Sequence, residues 1–224
     1  MKNEQSNFAV VIPAHNEEKR IGRVLEATEN YASLIILVDD GSDDKTAQVA
    51  QKFKVKVLRH TINLGKGAAL KTGCQAAFKM GVGIVVTLDA DGQHQPEDIP
   101  RFLKTIQEKK VDLVLGSRNL GFGMPLIRVL GNKLDSFLIA RFFKIYVTDP
   151  LCGFRAFTRK AYSKMNWESS GYEVETEMVI RAGIKNLSYV EIPIEILYID
   201  RYKGVSILDA YKILFSLFKL ILIK

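Results

Sequence analysis

The chain has 224 residues, 47% hydrophobic and 25% charged, ordinary globular values that exclude a disordered or collagen-like polymer and fit one domain or a tightly fused pair. At this length roughly 70–75% of the unfolded surface is buried on folding, so no staple is needed; Cys74 and Cys152, the only cysteines, support neither a disulfide framework nor a thiolate zinc site and fit a reducing, cytosol-facing compartment. Thirty-two basic residues against 25 acidic leave a net charge of +7, compatible with nucleic acid, an anionic membrane surface or phosphorylated small molecules as partners.

The opening MKNEQSN is polar and runs straight into a strand-like segment, so no signal peptide is expected. No internal stretch of ~18 uncharged apolar residues predicts a spanning helix. Short apolar, β-branched runs fall at 8–12 (FAVVI), 34–38 (LIILV), 55–58, 84–88 (IVVTL) and 111–115 (VDLVL). Segments of helical character separate them at 17–30, 43–53, 66–80 and 96–109. Asp43 and Asp44 precede one helix, Gly81 closes another, and Pro96 with Glu97 and Asp98 suits a first turn. Continuous apolar strands between helices of this length predict an α/β fold with a parallel sheet covered on both faces. The second half departs from this rhythm. Residues 124–147 are long, basic and apolar, 153–158 read as a strand, 173–182 as a helix, and 187–198 as β-rich around Pro193. One α/β domain over 1–205 with an appended helix over 206–224 is the economical organisation.

In such a sheet, ligands bind outside the carboxyl ends of the strands. Those ends read Pro13-Ala14-His15-Asn16-Glu17-Glu18, Asp39-Asp40-Gly41-Ser42-Asp43-Asp44, Asn63-Leu64-Gly65-Lys66-Gly67, Asp89-Ala90-Asp91-Gly92-Gln93-His94 and Gly116-Ser117-Arg118. Five such ends on one edge hold carboxylates and cations together, a composition suited to an anionic ligand and a metal. Asp89 and Asp91, one residue apart, suit Mg²⁺ or Mn²⁺, hard cations that take carboxylate and phosphate oxygens, and Gln93 offers a neutral oxygen. A bare DxD is more often a polar turn; the apolar run before it and the glycine after it favour metal. His94 reads as an exposed loop residue. The run VDDGSDDKT is either a second carboxylate pair for a metal, a turn with Ser42 or Asp43 capping the next helix, or an acceptor for a nucleobase edge. Gly65-Lys66-Gly67 resembles a phosphate loop but is not a Walker A motif, because His60 and Gly67 stand where Gly and Ser/Thr are required, and no GxGxxG follows the first strand. Lys66 is expected at a helix N-terminus, where phosphate is attracted.

Taken in order, IPAHNEE, VDDGS, NLGKGAAL, DADGQHQPEDI, GSR, DPLCGFRAF and DRYKGVS resemble glycosyltransferase family 2 with the GT-A fold, and within it the dolichol-phosphate mannosyltransferase and polyprenyl-phosphate glycosyl synthase branch. The resemblance runs from about Phe8 to Ser206. It implies a Rossmann-like, mostly parallel sheet flanked by helices. It also implies a metal-dependent, inverting transfer of mannose or glucose from a nucleotide-diphosphate sugar (GDP-mannose or UDP-glucose) to dolichyl or polyprenyl phosphate. By that resemblance Pro13, Ala14, Glu17 and Asp40 line the base and ribose, and Lys66, Asp89 and Ala90 lie along the sugar nucleotide. Asp89, Asp91 and Gln93 hold Mg²⁺ or Mn²⁺. Arg118 and Arg128 fall where basic residues meet donor or acceptor phosphates, with Ser206 beside the acceptor, and Arg201 lies on a loop over the diphosphate. Ile207 stands where a Lys is usual, leaving Lys203 to supply that charge, and Cys152 replaces a usual Ser. Asp91, Arg201 and Lys203 are the expected catalytic set.

The C-terminal ILDAYKILFSLFKLILIK has polar residues at Asp209, Lys212, Ser216 and Lys219, one narrow stripe on a helix. A core helix is the plainer reading; the broad apolar face fits a helix in the membrane interface. At ~1.5 Å per residue it is short for a span, and it carries charge. Residues 124–147 set Arg128, Lys133, Arg141 and Lys144 among aromatic and aliphatic side chains, a pattern suited either to a packed helix or to an anionic lipid surface. The expectation is a peripheral protein on the cytoplasmic face of a membrane, with or without a membrane subunit, and no role for nucleic acid. Two alternatives compete: a soluble family 2 enzyme acting on a sugar hydroxyl, with Glu175, Glu177 or Asp149 as base, and a silent nucleotide-binding scaffold, which Ile207 favours. Trp167 is expected to pack.

Overall fold

The computed structural model describes residues 7–119 and 126–197, the side chains of 126–128 excepted. The elements are β1 (Phe8–Ala14), α1 (Ile21–Glu29), β2 (Ile35–Asp39), α2 (Thr46–Ala50), β3 (Lys56–Arg59), α3 (Lys66–Lys79), β4 (Ile84–Thr87), a 3₁₀ turn (Pro96–Asp98) leading into α4 (Ile99–Lys109), β5 (Leu113–Arg118), α5 (Leu126–Phe143), β6 (Arg155–Thr158), α6 (Arg159–Met165), α7 (Val174–Ile184) and β7 (Tyr189–Ile194). The expected appended helix and the boundary at 205/206 lie outside the described residues.

The strands form one mixed sheet in the order β3-β2-β1-β4-β6-β5-β7. Neighbours pair parallel except β6, which runs antiparallel to both β4 and β5. The five strands expected from sequence therefore all end on one edge, and β6 alone begins there. Its insertion delivers the segment before Arg155 to the tip of β4. Side chains alternate between two cores. Ala9 and Val11 join the layer of α3, α5, α6 and α7, whereas Val10 and Ile12 join that of α1 and α4. Burial on both faces is why these strands read as unbroken apolar runs. The helix α6 was not expected, because no loop precedes it: Thr158 ends β6 and also caps α6, its hydroxyl accepting the Ala161 N–H at 3.1 Å.

The first part of α5 is inverted, whereas Ile139 and Phe143 near its end are buried in the core. Leu130 and Phe137 are each 63% exposed and Leu134 49%, while Asn132, Asp135 and Ser136 are buried. The Ser136 hydroxyl donates to the Val147 carbonyl, Asn132 Nδ2 to that of Thr148 at 3.2 Å, and the Thr176 hydroxyl to Asp135 Oδ2 at 3.0 Å. Among the described residues Asp135 Oδ1 has no hydrogen-bond partner. No helix among the described residues is long and apolar enough to cross a membrane.

Burial pushes the Asp135 carboxyl up to about 6, the Thr176 hydrogen bond opposing it only in part. A carboxyl that binds its proton more tightly folded than unfolded adds stability that is complete below pH ~4 and is lost as pH rises through ~6. Asp135→Asn, uncharged throughout, is therefore expected to stabilise the protein by about 2–3 kcal/mol above pH 7 and hardly at all at pH 4. Urea midpoints at the two pH values check this; an equal gain at both would exclude titration as the cause.

Candidate active site

The first two strand ends are stitched to each other. Asn16, in the left-handed region at φ 55°, donates its N–H to Ser42 Oγ at 2.9 Å and accepts the Asp43 N–H on its own side chain at 2.9 Å. Glu17 N–H donates to Thr46 Oγ1 at 2.7 Å, and Asp44 accepts the N–H groups of Glu18 and Thr46. Asp44, and neither Ser42 nor Asp43, thus serves the start of α2. Pro13 and Ala14 are buried as the last residues of β1, and Glu17 is buried with its carboxylate 3.2 Å from Arg20.

The Asp39–Asp40 pair does not form a second metal site. Asp39 is fully buried, accepts the Ser42 N–H and lies 3.1 Å from Arg59 Nε. Asp40 accepts the N–H groups of Leu64 at 3.0 Å and Gly65 at 2.7 Å and sits 2.6 Å from His60 Nδ1. Its carboxylate shapes the turn that presents Lys66.

That turn is clamped from the other side by 168–171. A Cβ at Gly67 would fall 2.2 Å from the Ser169 carbonyl oxygen, so only glycine permits the approach. Trp167, packed as expected, donates Nε1–H to the Gly67 carbonyl at 3.1 Å, and the Ala68 N–H donates to Ser170 O. Glu177 holds the clamp in shape. It accepts the N–H groups of Glu168 and Ser169 and pairs with Arg181. Buried and fully engaged, it is no free base.

Lys66 Nζ, so positioned, lies 2.7 Å from Asp89 Oδ1 and 2.7 Å from Glu175 Oε1. Burial alone would raise the pKa of Asp89 and lower that of Lys66; their attraction outweighs it, holding Asp89 at about 2 and Lys66 above its ordinary range. Asp89 is ionised at any physiological pH, and its side chain remains 23% exposed.

The tip of β4 is built by β6. A Cβ on Gly153 would fall 2.6 Å from Asp89 Oδ2, and the Thr87 hydroxyl donates to the Gly153 carbonyl at 2.7 Å. Arg155, 1% exposed, donates to the carbonyls of Pro150, Cys152 and Glu175 at 2.6–2.8 Å, tying this segment to α7. Sequence reading passed over this arginine; its only signal was a charge inside an apolar strand. His94 is corrected too. It is 6% exposed, sits 5.4 Å from the Phe154 ring, and its Nδ1 faces the Asp89 N–H at 3.4 Å. Burial lowers its pKa, with Asp89 opposing, which keeps the ring neutral and able to accept that bond. Asp91 Oδ1 accepts the Gln93 N–H at 3.0 Å, closing the turn, and the Ala90 methyl packs in the core.

Arg118, at the end of β5, donates Nε and Nη2 to Asp149 at 2.6 and 2.8 Å and its N–H at 3.1 Å. Asp149 is buried and spent on this pair, so it too is no free base. The Cys152 thiol is pushed up to about 12 by burial and by Asp149, so it packs as a neutral group. The side chain of Arg128, with Arg201, Lys203, Ser206 and Ile207, lies outside the described residues.

One edge thus gathers Lys66, Asp89, Asp91, Gln93 and Arg118. Among the described residues no group of three or more His, Cys, Asp or Glu is placed to hold a metal by itself. An ionised Asp89 with Asp91 nearby nevertheless fits Mg²⁺ or Mn²⁺, which take one or two carboxylates and complete their shell with substrate phosphate and water.

Residues 9–165 match the family model described as Glycosyl transferase family 2. The chain is 33% identical to a UDP-N-acetylglucosamine–dolichyl-phosphate N-acetylglucosaminyltransferase of Methanococcus voltae, over 94% of this chain and 94% of that protein. It is 30% identical to a polyprenol monophosphomannose synthase of Mycolicibacterium smegmatis, over 94% and 84%. In fold it is similar to glucosyl-3-phosphoglycerate synthase from Mycobacterium tuberculosis, solved with Mn²⁺, UDP and glucosyl-3-phosphoglycerate, with a TM-score of 0.74 and 21% identity over 96% of this chain and 80% of that one.

Because Gly153 abuts Asp89, Gly153→Ala is expected to displace the carboxylate and cut turnover by about 10²-fold, the usual cost of a ~1 Å misplacement. Steady-state rates beside a melting curve check this: a large loss of kcat with a nearly unchanged Tm is expected.

Proposed function

Because the chain belongs to glycosyl transferase family 2, we propose that this glycosyltransferase moves a hexose or N-acetylhexosamine from a nucleotide-diphosphate sugar to a polyprenyl or dolichyl phosphate. The observation that carries the reading is Asp89, kept ionised and partly exposed at the tip of β4 beside Lys66. A phosphate oxygen of the acceptor attacks the anomeric carbon as the bond from that carbon to the diphosphate breaks, its electron pair leaving with the nucleotide. A divalent cation on Asp89 and Asp91, with Gln93, would neutralise charge developing on the departing diphosphate. Lys66 and Arg118 add preorganised positive charge. Arg201 and Lys203 would close over the same phosphates, and the strand ends at Pro13, Ala14 and Glu17 would receive the nucleoside.

The locked carboxylates favour a phosphate over a sugar hydroxyl as acceptor. A hydroxyl needs a base; Asp149 and Glu177 are both bound by donors, and Glu175 is buried with its carboxylate 2.7 Å from the Lys66 ammonium. A phosphate monoester, with its second pKa near ~6, is already anionic at neutral pH. Incubation with Mn²⁺, polyprenyl phosphate and labelled GDP-mannose, UDP-glucose or UDP-N-acetylglucosamine, then organic extraction, tests this. Label is expected in the lipid phase with one donor; label only in water-soluble glycan, or none, would overturn the lipid reading. Asp91→Ala is expected to lose about 10²–10³ in rate, and near-normal activity with added Mn²⁺ would overturn the metal role.

The apolar outer side of α5 supports peripheral seating on a membrane, with Lys133, Arg141 and Lys144 exposed around it. Each basic group near an anionic surface contributes about 1 kcal/mol. The C-terminal 206–224 would add a second interfacial helix beside a catalytic unit over 1–205. On the cytoplasmic face, membrane and phosphates would account for the surplus charge without nucleic acid. The double variant Leu134→Glu/Phe137→Glu is expected to lower co-sedimentation with anionic vesicles severalfold at unchanged melting temperature.

A further inference from the structure

We propose that Lys66 is a resident cation on Asp89, with Glu175 as its second seat, so that the divalent ion is admitted only together with the sugar nucleotide. The proposal rests on the metal reading above and adds the order in which the site is loaded. Its basis is geometric. One ammonium touches two carboxylates at 2.7 Å each, and its backbone has little room to move. Asp40 holds the turn before it, and the 168–171 carbonyls stand against Gly65 and Gly67 after it. Only the Lys66 side chain is left to swing.

Glu175 decides where it swings. That side chain is 3% exposed, and its backbone carbonyl is fixed by Arg155. Were Lys66 to leave both partners, a buried carboxylate would be stranded, which is costly. Lys66 therefore stays on Glu175 when it yields Asp89, which makes Glu175 a positioning residue. A metal ion arriving alone must displace the ammonium from Asp89 Oδ1, and only water is left to receive the freed donor. An ion arriving with a diphosphate brings phosphate oxygens that accept it, since an ammonium carries three N–H groups. Metal and nucleotide thus bind with positive coupling, felt equally by each.

The test is Mn²⁺ binding itself, read by electron paramagnetic resonance or calorimetry on the full chain without donor or acceptor, in the absence and presence of saturating UDP or GDP. The wild type is expected to bind Mn²⁺ weakly alone and tightly with nucleotide. The double variant Lys66→Met/Glu175→Gln removes the cation and its buried counter-charge together, and a melting curve verifies its fold. It is expected to bind Mn²⁺ roughly tenfold or more tighter without nucleotide, a factor within the usual range of coupling between bound groups, and its nucleotide coupling is expected to shrink. Glu175→Gln alone leaves Lys66 only Asp89 and is expected to weaken nucleotide-free Mn²⁺ binding. Unchanged or weaker nucleotide-free affinity in the double variant would overturn the proposal while leaving the metal reading intact. Failure of the wild type to bind Mn²⁺ even with saturating nucleotide would overturn the metal reading itself, and this proposal with it.

Discussion

One ammonium group joins three elements of this fold. Lys66 opens α3, Asp89 follows β4, and Glu175 stands in the first turn of α7. Each arrives by a different route through the sheet, and only the ion pairs bring them within 3 Å of a common point. Three charges at such spacing are stable only if the backbone behind each is held, because the pairs must compensate for desolvating every member. The surroundings supply that hold: carbonyls packed against glycine on the Lys66 side, the start of β6 on the Asp89 side, and the buried Arg155 guanidinium on the Glu175 side.

Carboxylates near this edge consequently divide by what surrounds them. Asp40, Asp149 and Glu177 are buried and engaged by amide N–H groups or arginine, and Asp39 is buried beside Arg59 with one oxygen accepting the Ser42 N–H. They set loop shapes and have nothing left over for chemistry. Asp89 pairs a depressed pKa with partial exposure beside Lys66, and Asp91 extends the same turn.

The parallel part of the sheet was legible because strands buried on both faces are apolar at every position, so 8–12, 34–38 and 84–88 stand out and their polar ends mark the edge. Less legible was everything that depends on chain direction or on the partner of a charge. Residues 153–158 read as a strand, but nothing in GFRAFT says that it runs against its neighbours, and that reversal is what puts Gly153 against Asp89. The partners of Asp40 were not legible either: the N–H groups its carboxylate accepts come from Leu64 and Gly65, more than 20 residues away. His94 and Arg155 were misread or missed for the same reason. A polar side chain is assumed exposed unless its partners are visible, and ring packing on Phe154 and three backbone carbonyls leave no trace in a sequence pattern.

The inverted α5 ties these observations together. Its polar side is bonded inward, through Asn132 and Ser136 to the carbonyls of Thr148 and Val147 and through Asp135 to Thr176. Thr148 in turn meets Ser117 at 2.6 Å, and the next residue, Asp149, holds Arg118; Thr176 follows Glu175 directly on α7. The helix that presents Leu130, Leu134 and Phe137 outward is thus hydrogen-bonded, within one or two residues, to both the arginine and the carboxylate at the strand edge. Polar groups usually face water, and reversing that order costs desolvation for each buried group. What the reversal secures is register: the buried polar side holds the segment carrying Asp149 and the helix carrying Glu175 against one rigid element.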